Sequence, residues 1–141
     1  MAHEAALEFL RANPRGVLAT YRRDGQAQMS PVVAAVDAES RVVISTREGA
    51  MKTINVRRNP RAAFCALNQG FFGEWHTLEG NVEIVSLPEA MEPLVDYYRR
   101  VSGEHPDWQE YREAMAREHR VLLRITMERS GPTTQIGRAH V

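Results

Sequence analysis

Short apolar runs closed by turn signals fill the first 85 residues, and this succession constrains the fold more than any other feature. The runs lie at 16–21, 27–36, 41–46, 61–67 and 75–85. Asp24-Gly25, between the first two runs, is typical of a tight turn between antiparallel strands. Few of the runs are joined by a helix of crossover length, which disfavours a doubly wound parallel sheet. The pattern therefore predicts an antiparallel barrel or a curled sheet with helices to one side.

The chain also carries stretches with helical periodicity and one more strand. Helices are predicted at 4–12, 51–58, 88–101 and within 105–120, and a sixth strand at 121–129. Asn13-Pro14 and Asn59-Pro60 end the first two helices, because a residue before proline disfavours the helical conformation. Pro31 makes the second strand an edge, a bulge or a bend, and Gly80 predicts a bulge or kink in the fifth.

Composition predicts one soluble domain at 1–130, followed by a tail at 131–141. Lys plus Arg and Asp plus Glu each number 18, so the formal net charge is zero, and no basic stripe marks a nucleic-acid binder. The single cysteine, Cys65, excludes an intrachain disulfide and suits a reducing cytoplasm. No secretory signal is visible, and no run approaches the roughly 20 apolar residues of a membrane span. We therefore expect a cytoplasmic protein without nucleic-acid or membrane partners.

Residues 136–141 read IGRAHV, the peptide that a common short-read sequencing adapter encodes in one frame. We hypothesise that these residues are an assembly artefact, and the alternative is an ordinary polar tail. They are excluded from the fold prediction, as a cloning scar would be. Resequencing the source locus tests the hypothesis, since a genomic codon run for these residues would refute it.

No set of residues supplies an acid, a base and a nucleophile by itself. The histidines, at 3, 76, 105, 119 and 140, are not paired at metal-ligand spacing, and there is no Cys–His cluster. Cys65 lies in the apolar run AAFCAL and is expected to be buried and inert. The chain has no GxSxG elbow, Walker loop or GxGxxG motif. We predict no metal site and no catalytic side chain, and expect a bound cofactor to carry any chemistry.

Lys52 lies near the start of the second predicted helix, where the helix dipole disfavours a cation by roughly 0.3–1 kcal/mol. A bound anion would make this lysine favourable, since free N–H groups and the positive end of the dipole attract phosphate. Ser45 and Thr46 could add hydroxyl donors, and Arg47 could add charge. The alternatives are a solvated Lys52 and a Lys52 paired with Glu48.

Four stretches together resemble the FMN-binding split-barrel proteins related to pyridoxamine 5'-phosphate oxidase. They are RGVLATYRRDGQAQMSPV, similar to the opening hairpin, VISTREGAMKTINVRRNPRAAF, similar to the cofactor phosphate segment, HTLEGNVEIV, similar to the fifth strand, and YYRRVSGEHPDWQEYREAMAREHRVLLRI, similar to a helical pair and last strand. Within this family, the chain is most similar to the small F420-dependent oxidoreductases of actinobacteria. The resemblance implies a six-stranded antiparallel split β-barrel with flanking helices.

The resemblance also implies a homodimer that binds its cofactor in a groove between the subunits. The cofactor phosphate would contact Lys52, Ser45 and Thr46, with Arg47 and Met51 beside them. The deazaflavin ring would lie along Gln28, Met29, Ser30, Pro31 and Val32, where backbone amides can hydrogen-bond ring carbonyls. A region of the second subunit would lie near the ring, namely Trp75, His76 and Thr77.

The implied function is hydride transfer between F420 and a small electron-poor organic substrate, such as an activated C=C bond or a quinone. The alternatives are an FMN-dependent oxidase or reductase of the same fold, a non-catalytic F420 carrier or sensor, and a structural dimer with an empty groove. Basic residues along the groove favour the long anionic tail of F420, namely Arg47, Arg57 and Arg58. Many relatives carry an arginine two residues before the lysine, where this chain has Ala50, and Arg47 could replace that charge.

Overall fold

The computed structural model describes residues 3–132. Its helices are α1 (Glu4–Ala12), α2 (Met51–Arg58), α3 (Met91–Ser102) and α4 (Trp108–Arg117). Its strands are β1 (Arg15–Tyr21), β2 (Ala27–Val33), β3 (Ala35–Val36), β4 (Val42–Arg47), β5 (Arg61–Leu67), β6 (Trp75–Val85) and β7 (Arg120–Gly131). The artefact hypothesis concerns residues 136–141, which lie outside the described residues.

The strands form one antiparallel sheet, and its connections make it curl. The strand order is β2-β1-β5-β6-β7-β4-β3, so β2 and β3 lie at opposite edges. Ala34 alone separates Val33, the end of β2, from Ala35, the start of β3. One residue spans at most about 7 Å, because consecutive Cα atoms are about 3.8 Å apart. The two edges therefore meet at this corner, and the antiparallel sheet is curled, as predicted.

Seven strands are present where six were predicted, because the second predicted strand divides at Ala34. The part before Ala34 pairs with β1 and the part after it pairs with β4. Pro31 does not interrupt the pairing, since it lies in register opposite Val17. Proline has no N–H to donate, and an edge strand tolerates it. Of the three alternatives for Pro31, the edge position is the one observed.

The predicted bulge at Gly80 is confirmed. The register between β6 and β7 shifts between Glu79 and Gly80. A Cβ atom added at Gly80 would lie 1.8 Å from the carbonyl oxygen of Thr126. The two strands can approach this closely only because glycine has no side chain.

Apolar side chains from alternate strand positions fill the barrel. In β1 and β5, buried residues alternate with partly exposed ones, as expected for strands with one face on a core. The helices α1 and α2 pack against the same core. The buried set includes Leu18, Ile44, Phe64, Leu78 and Ile125 from the strands, Leu7 and Leu10 from α1, and Val56 from α2.

The helices α3 and α4 form a layer against β3, β4 and β7 and make a second core. This core contains Val43, Leu122, Leu94, Tyr111 and Met115. The aromatic residues of α3 and α4 pack edge to face, as for Tyr98 and Trp108, whose ring centroids are 5.7 Å apart. These aromatic residues therefore belong to the second core. No helix within residues 3–132 is long and apolar enough to cross a membrane.

The outward positions of β2, β1, β5 and β6 remain partly or fully exposed and carry mainly small or apolar side chains. We call this surface the outer sheet face. It consists of Met29, Pro31, Val17, Ala19, Ala63, Cys65 and Thr77. The register places these side chains in cross-strand rows, as in Met29–Ala19–Ala63. Met29 is 66% exposed, which is unusual for a large apolar residue without a covering partner.

Candidate functional site

A groove of about 500 Å³ opens where α2, the end of β4 and the start of β7 meet. We call it the basic groove, and it is lined by Thr46, Arg47, Gly49, Ala50, Lys52, Glu118, His119 and Arg120. It brings together Thr46, Arg47 and Lys52, which the sequence predicts to bind a phosphate. These residues are separated by the turn that links β4 to α2.

The first turn of α2 presents unpaired backbone donors beside this groove. Ala50 is the N-cap residue and makes no side-chain capping hydrogen bond. The N–H groups of Met51, Lys52 and Thr53 have no acceptor among residues 3–132. The Thr53 hydroxyl donates to the carbonyl oxygen of Arg47 at 2.7 Å, which fixes the turn. Unpaired N–H groups and the positive end of the helix dipole make this turn suited to an anion.

Lys52 forms no ion pair with any carboxylate in the described part of the chain. Its alternative partner, Glu48, instead forms an ion pair with Arg57. Arg58 donates to the Tyr21 carbonyl oxygen at 2.9 Å. Neither Arg57 nor Arg58 lines the basic groove, so they do not supply the groove charge that the sequence suggested.

Arg47 and Arg120 supply positive charge to the basic groove. Arg120 was not among the site residues predicted from the sequence. The two arginines are directly opposite each other in the β4–β7 ladder. Like charges in opposite positions repel each other and destabilise the strand pair. Glu118 reduces this repulsion, because its carboxylate accepts a hydrogen bond from Arg120 Nε at 2.9 Å and lies 3.6 Å from an Arg47 guanidinium nitrogen. The hydrogen bond from Arg120, and then the charges of Arg120 and Arg47, lower the pKa of Glu118 below its usual value.

His119 also lines the basic groove and has an unusual backbone conformation. Its φ is 53°, in the left-handed region that non-glycine residues rarely adopt. Its carbonyl oxygen accepts from the N–H of Glu48 at 2.9 Å, which links the end of α4 to the loop before α2. Strained residues of this kind cluster at functional sites.

The predicted ring segment lies on β2, with its side chains alternating between the two faces. Gln28, Ser30 and Val32 point inward, while Met29 and Pro31 point outward and are exposed. Because β2 is an edge strand, the backbone groups on its free side are available to a ligand.

Ser30 has a buried hydroxyl oxygen with no hydrogen-bond partner among residues 3–132. A buried polar atom without a partner costs about 1–3 kcal/mol, so this hydroxyl is suited to a ligand acceptor or donor. Gln28, two residues before it, accepts from the Thr20 hydroxyl at 3.4 Å, and Thr20 in turn accepts from Asn55 Nδ2 at 3.1 Å. This chain of hydrogen bonds joins the predicted ring segment to α2, whose first turn lines the basic groove.

A second cavity, of about 670 Å³, lies beside the last residues of β2. We call it the apolar cavity; its lining includes Val17, Pro31, Val33, Leu67, Phe71, Tyr97 and Tyr98. The Tyr97 hydroxyl donates to the Val33 carbonyl oxygen at 2.7 Å and so fixes α3 beside β2. Burial raises the pKa of Tyr97. Pro31 therefore belongs both to the predicted ring segment and to the wall of this cavity.

Other predicted site residues lie away from both cavities. Ser45 shares the face of Val43, which packs in the helix layer, so its hydroxyl does not line the basic groove. His76 is buried, with Nε2 2.8 Å from a Glu74 carboxylate oxygen. Thr77 donates to the Gly131 carbonyl oxygen at 3.2 Å. Trp75 begins β6 opposite Leu67.

Two further predictions concern reactive groups. Cys65 is half-buried rather than buried, and desolvation raises the pKa of its thiol. The raised pKa lowers the thiolate fraction, as expected for an unreactive cysteine. Within residues 3–132, no group of three or more His, Cys, Asp or Glu side chains could hold a metal ion.

Comparison with known families identifies this fold. A family model described as pyridoxamine 5'-phosphate oxidase matches residues 2–132. The chain belongs to the pyridoxamine 5'-phosphate oxidase family. This membership confirms the predicted split-barrel fold class, and at family level it makes the chain an oxidoreductase of the flavin or deazaflavin type.

The fold of this chain is similar to several solved structures. The conserved hypothetical protein Rv2991 from Mycobacterium tuberculosis is 26% identical, with a TM-score of 0.76 over 100% of this chain and 91% of that one. A protein named F420 reductase is 21% identical, with a TM-score of 0.67 over 88% and 94% of the two chains. A pyridoxamine 5'-phosphate oxidase-related, FMN-binding protein from Nostoc punctiforme is 13% identical, with a TM-score of 0.63 over 92% and 83%.

Proposed function

We propose that this protein is an F420-dependent oxidoreductase that passes hydride from the reduced deazaflavin to a small electron-poor organic acceptor. The basic groove carries the proposal: unpaired N–H groups at the start of α2 and an unpaired Lys52 face one cavity. The structural neighbour named F420 reductase supports the choice of cofactor.

The donor set of the groove fits a phosphate. The α2 N–H groups supply directed donors, while Lys52, Arg47 and Arg120 supply positive charge. The buried Ser30 hydroxyl, which lacks a protein partner, suits a polar atom of the ring. F420, when bound and reduced, supplies the hydride from C5 of its ring. The protein's part is to bind the phosphate, orient the ring along β2 and exclude water.

The apolar cavity is the proposed position of the acceptor. Pro31 and Val33 line it from β2, so an acceptor there would lie beside the predicted ring segment. Its volume of about 670 Å³ suits a molecule of one or a few rings. Phe71 is 57% exposed at its wall and could pack against such a molecule.

We also propose that the protein is a homodimer that pairs through the outer sheet face. This face presents small and apolar side chains in register, with Met29 as its most exposed large apolar residue. A second copy would cover it and would bring its own residues 75–77 toward the ring, as the family resemblance implies. The alternative cofactor is FMN, since one neighbour is named an FMN-binding protein.

The activity is tested by following the oxidation of reduced F420 with a panel of quinones and enones. The proposal predicts turnover above the uncatalysed rate, and a KM for reduced F420 that rises at least tenfold in Lys52→Met. Arg112→Met is the matched control, since Arg112 pairs with Glu92 at 2.7 Å outside the groove. Binding of F420 without turnover would favour a carrier. Tight FMN binding without a response to F420 would favour the FMN alternative.

A further inference from the structure

Glu118 is the acidic residue among the side chains that line the basic groove. The other charged groups of the lining are Arg47, Lys52 and Arg120, and His119 adds a titratable ring. A phosphate entering the groove therefore meets fixed positive charge and one carboxylate. A carboxylate is an unfavourable neighbour for an anion, so Glu118 affects the ligand as well as the two arginines that it pairs with.

The position of Glu118 is also unfavourable for its own helix. It is the C-cap residue of α4, where the negative end of the helix dipole disfavours a carboxylate. Its contacts with Arg120 at 2.9 Å and Arg47 at 3.6 Å compensate for this placement. Both contacts are at least partly exposed to solvent, with the Arg47 side chain 62% exposed. Such a pair is weak enough for Arg47 to turn toward a ligand.

We propose that Glu118 selects the charge of the phosphate group that the groove accepts, favouring a singly charged phosphodiester over a doubly charged phosphomonoester. The inference rests on the proposed function, in which the groove binds a cofactor phosphate. F420 carries its phosphate as a diester within its long tail, whereas FMN ends in a monoester. Glu118 would thus be a specificity-determining residue for the class of cofactor.

Electrostatics supply the reason. Phosphomonoesters have a second pKa near 6 and carry about two negative charges at pH 8, while a diester carries one. The repulsion from the Glu118 carboxylate scales with the charge of the phosphate group beside it. The carboxylates of the F420 tail follow the phosphate along the molecule, so they are farther from Glu118 and more screened by salt. Near a protein surface, the repulsion from Glu118 is worth roughly a factor of three in affinity for each charge on the phosphate group. Glu118 therefore penalises the monoester more than the diester.

The test is a fluorescence titration of the full chain with F420 and with FMN at pH 8. Glu118→Gln removes the charge and keeps the side-chain shape. The expected gain in affinity is roughly tenfold for FMN and roughly threefold for F420. Glu118→Ala repeats the charge change without any hydrogen bond from Arg120 and is expected to shift selectivity in the same direction. Glu113→Gln, an exposed carboxylate on the same helix outside the groove, is the control and should change neither affinity.

The outcomes separate this inference from the proposed function. Equal gains for the two ligands, no gain, or weaker binding of FMN in both Glu118 variants would overturn the selectivity role. If Lys52→Met weakens F420 binding in the same assay, the phosphate groove stands whatever the Glu118 variants do. If Lys52→Met leaves F420 affinity unchanged, the groove assignment itself fails, and with it the role of Glu118.

Discussion

Glu48 and Arg57 form an ion pair that ties the loop before α2 to the last turn of that helix. Glu48 lies in the turn just before α2 and is the nearest carboxylate in sequence to Lys52. Because Arg57 pairs with the Glu48 carboxylate, Lys52 is available to a ligand in the basic groove. Both side chains of the pair are about half-exposed, so the pair adds little to stability. Its main effect is to keep Glu48 away from Lys52.

Arg57→Ala is expected to release Glu48 toward Lys52. F420 affinity should fall roughly two- to threefold, while the free energy of unfolding changes by less than about 1 kcal/mol. Titration and thermal unfolding measure the two quantities. Arg112→Ala removes a similarly exposed arginine that pairs with Glu92 outside the groove, and should leave F420 affinity unchanged. Equal losses in both variants would show that general charge, not Glu48, is responsible.

Ala63→Arg tests the outer sheet face. Ala63 lies in the middle of its cross-strand row, between Ala19 and Glu79. Two arginine side chains brought together at the proposed interface should repel each other and prevent dimerisation. Light scattering is therefore expected to report a monomer for this variant and a dimer for the unmodified chain. Gln109→Arg adds the same charge on the exposed side of α4 and should remain dimeric. A dimeric Ala63→Arg would place the interface elsewhere.

Gly80→Ala should strongly destabilise the barrel. The new Cβ would lie 1.8 Å from a backbone oxygen of Thr126, and overpacking against backbone costs about 1–3 kcal/mol or more. Gly49→Ala is a comparison, because its Cβ would meet nothing within 4 Å, and its effect should stay within about 0.5 kcal/mol. Chemical denaturation gives both values, and similar stabilities would contradict the close approach of β6 and β7.

Tyr111 should make stability fall at high pH. Burial, and then the proximity of Tyr97, raise its pKa from 10.0 to about 12. Because the folded state holds the proton more tightly, the stabilisation is complete below pH 10 and is lost as the pH rises toward 12. The loss should be roughly 2–3 kcal/mol, and smaller in Tyr111→Phe. Identical pH profiles of unfolding for the two proteins would contradict this role.

Local signals were sufficient to predict much of the fold. The bounds of α1 and α2 match the predicted helices, because Asn13-Pro14 and Asn59-Pro60 end both of them. α3 begins at Met91, not at residue 88, since the preceding residues form a turn. The division at Ala34 could not be read from the sequence, because it depends on which strands meet when the sheet curls.

The site was only partly predictable for the same reason. Lys52, Thr46 and Arg47 share one short segment, and a helix start marked them. Arg120 and Glu118 reach the groove only through the pairing of β4 with β7, which places Arg120 opposite Arg47. No local sequence pattern predicts the register between β4 and β7. The signal that could have found Glu118 is its own misfit, a carboxylate at the end of a helix next to basic residues.

The charge of Lys52 is tested most directly by comparing binding and stability in Lys52→Met, since lysine and methionine have similar helix propensities. The proposed phosphate site predicts changes in opposite directions. Affinity for F420 should fall by roughly 10- to 100-fold, as expected for the loss of a charge-assisted hydrogen bond. The free energy of unfolding without F420 should rise by about 0.3–1 kcal/mol, because a cation leaves the positive end of the α2 dipole. Unchanged F420 affinity in a variant that is equally or more stable would contradict the account.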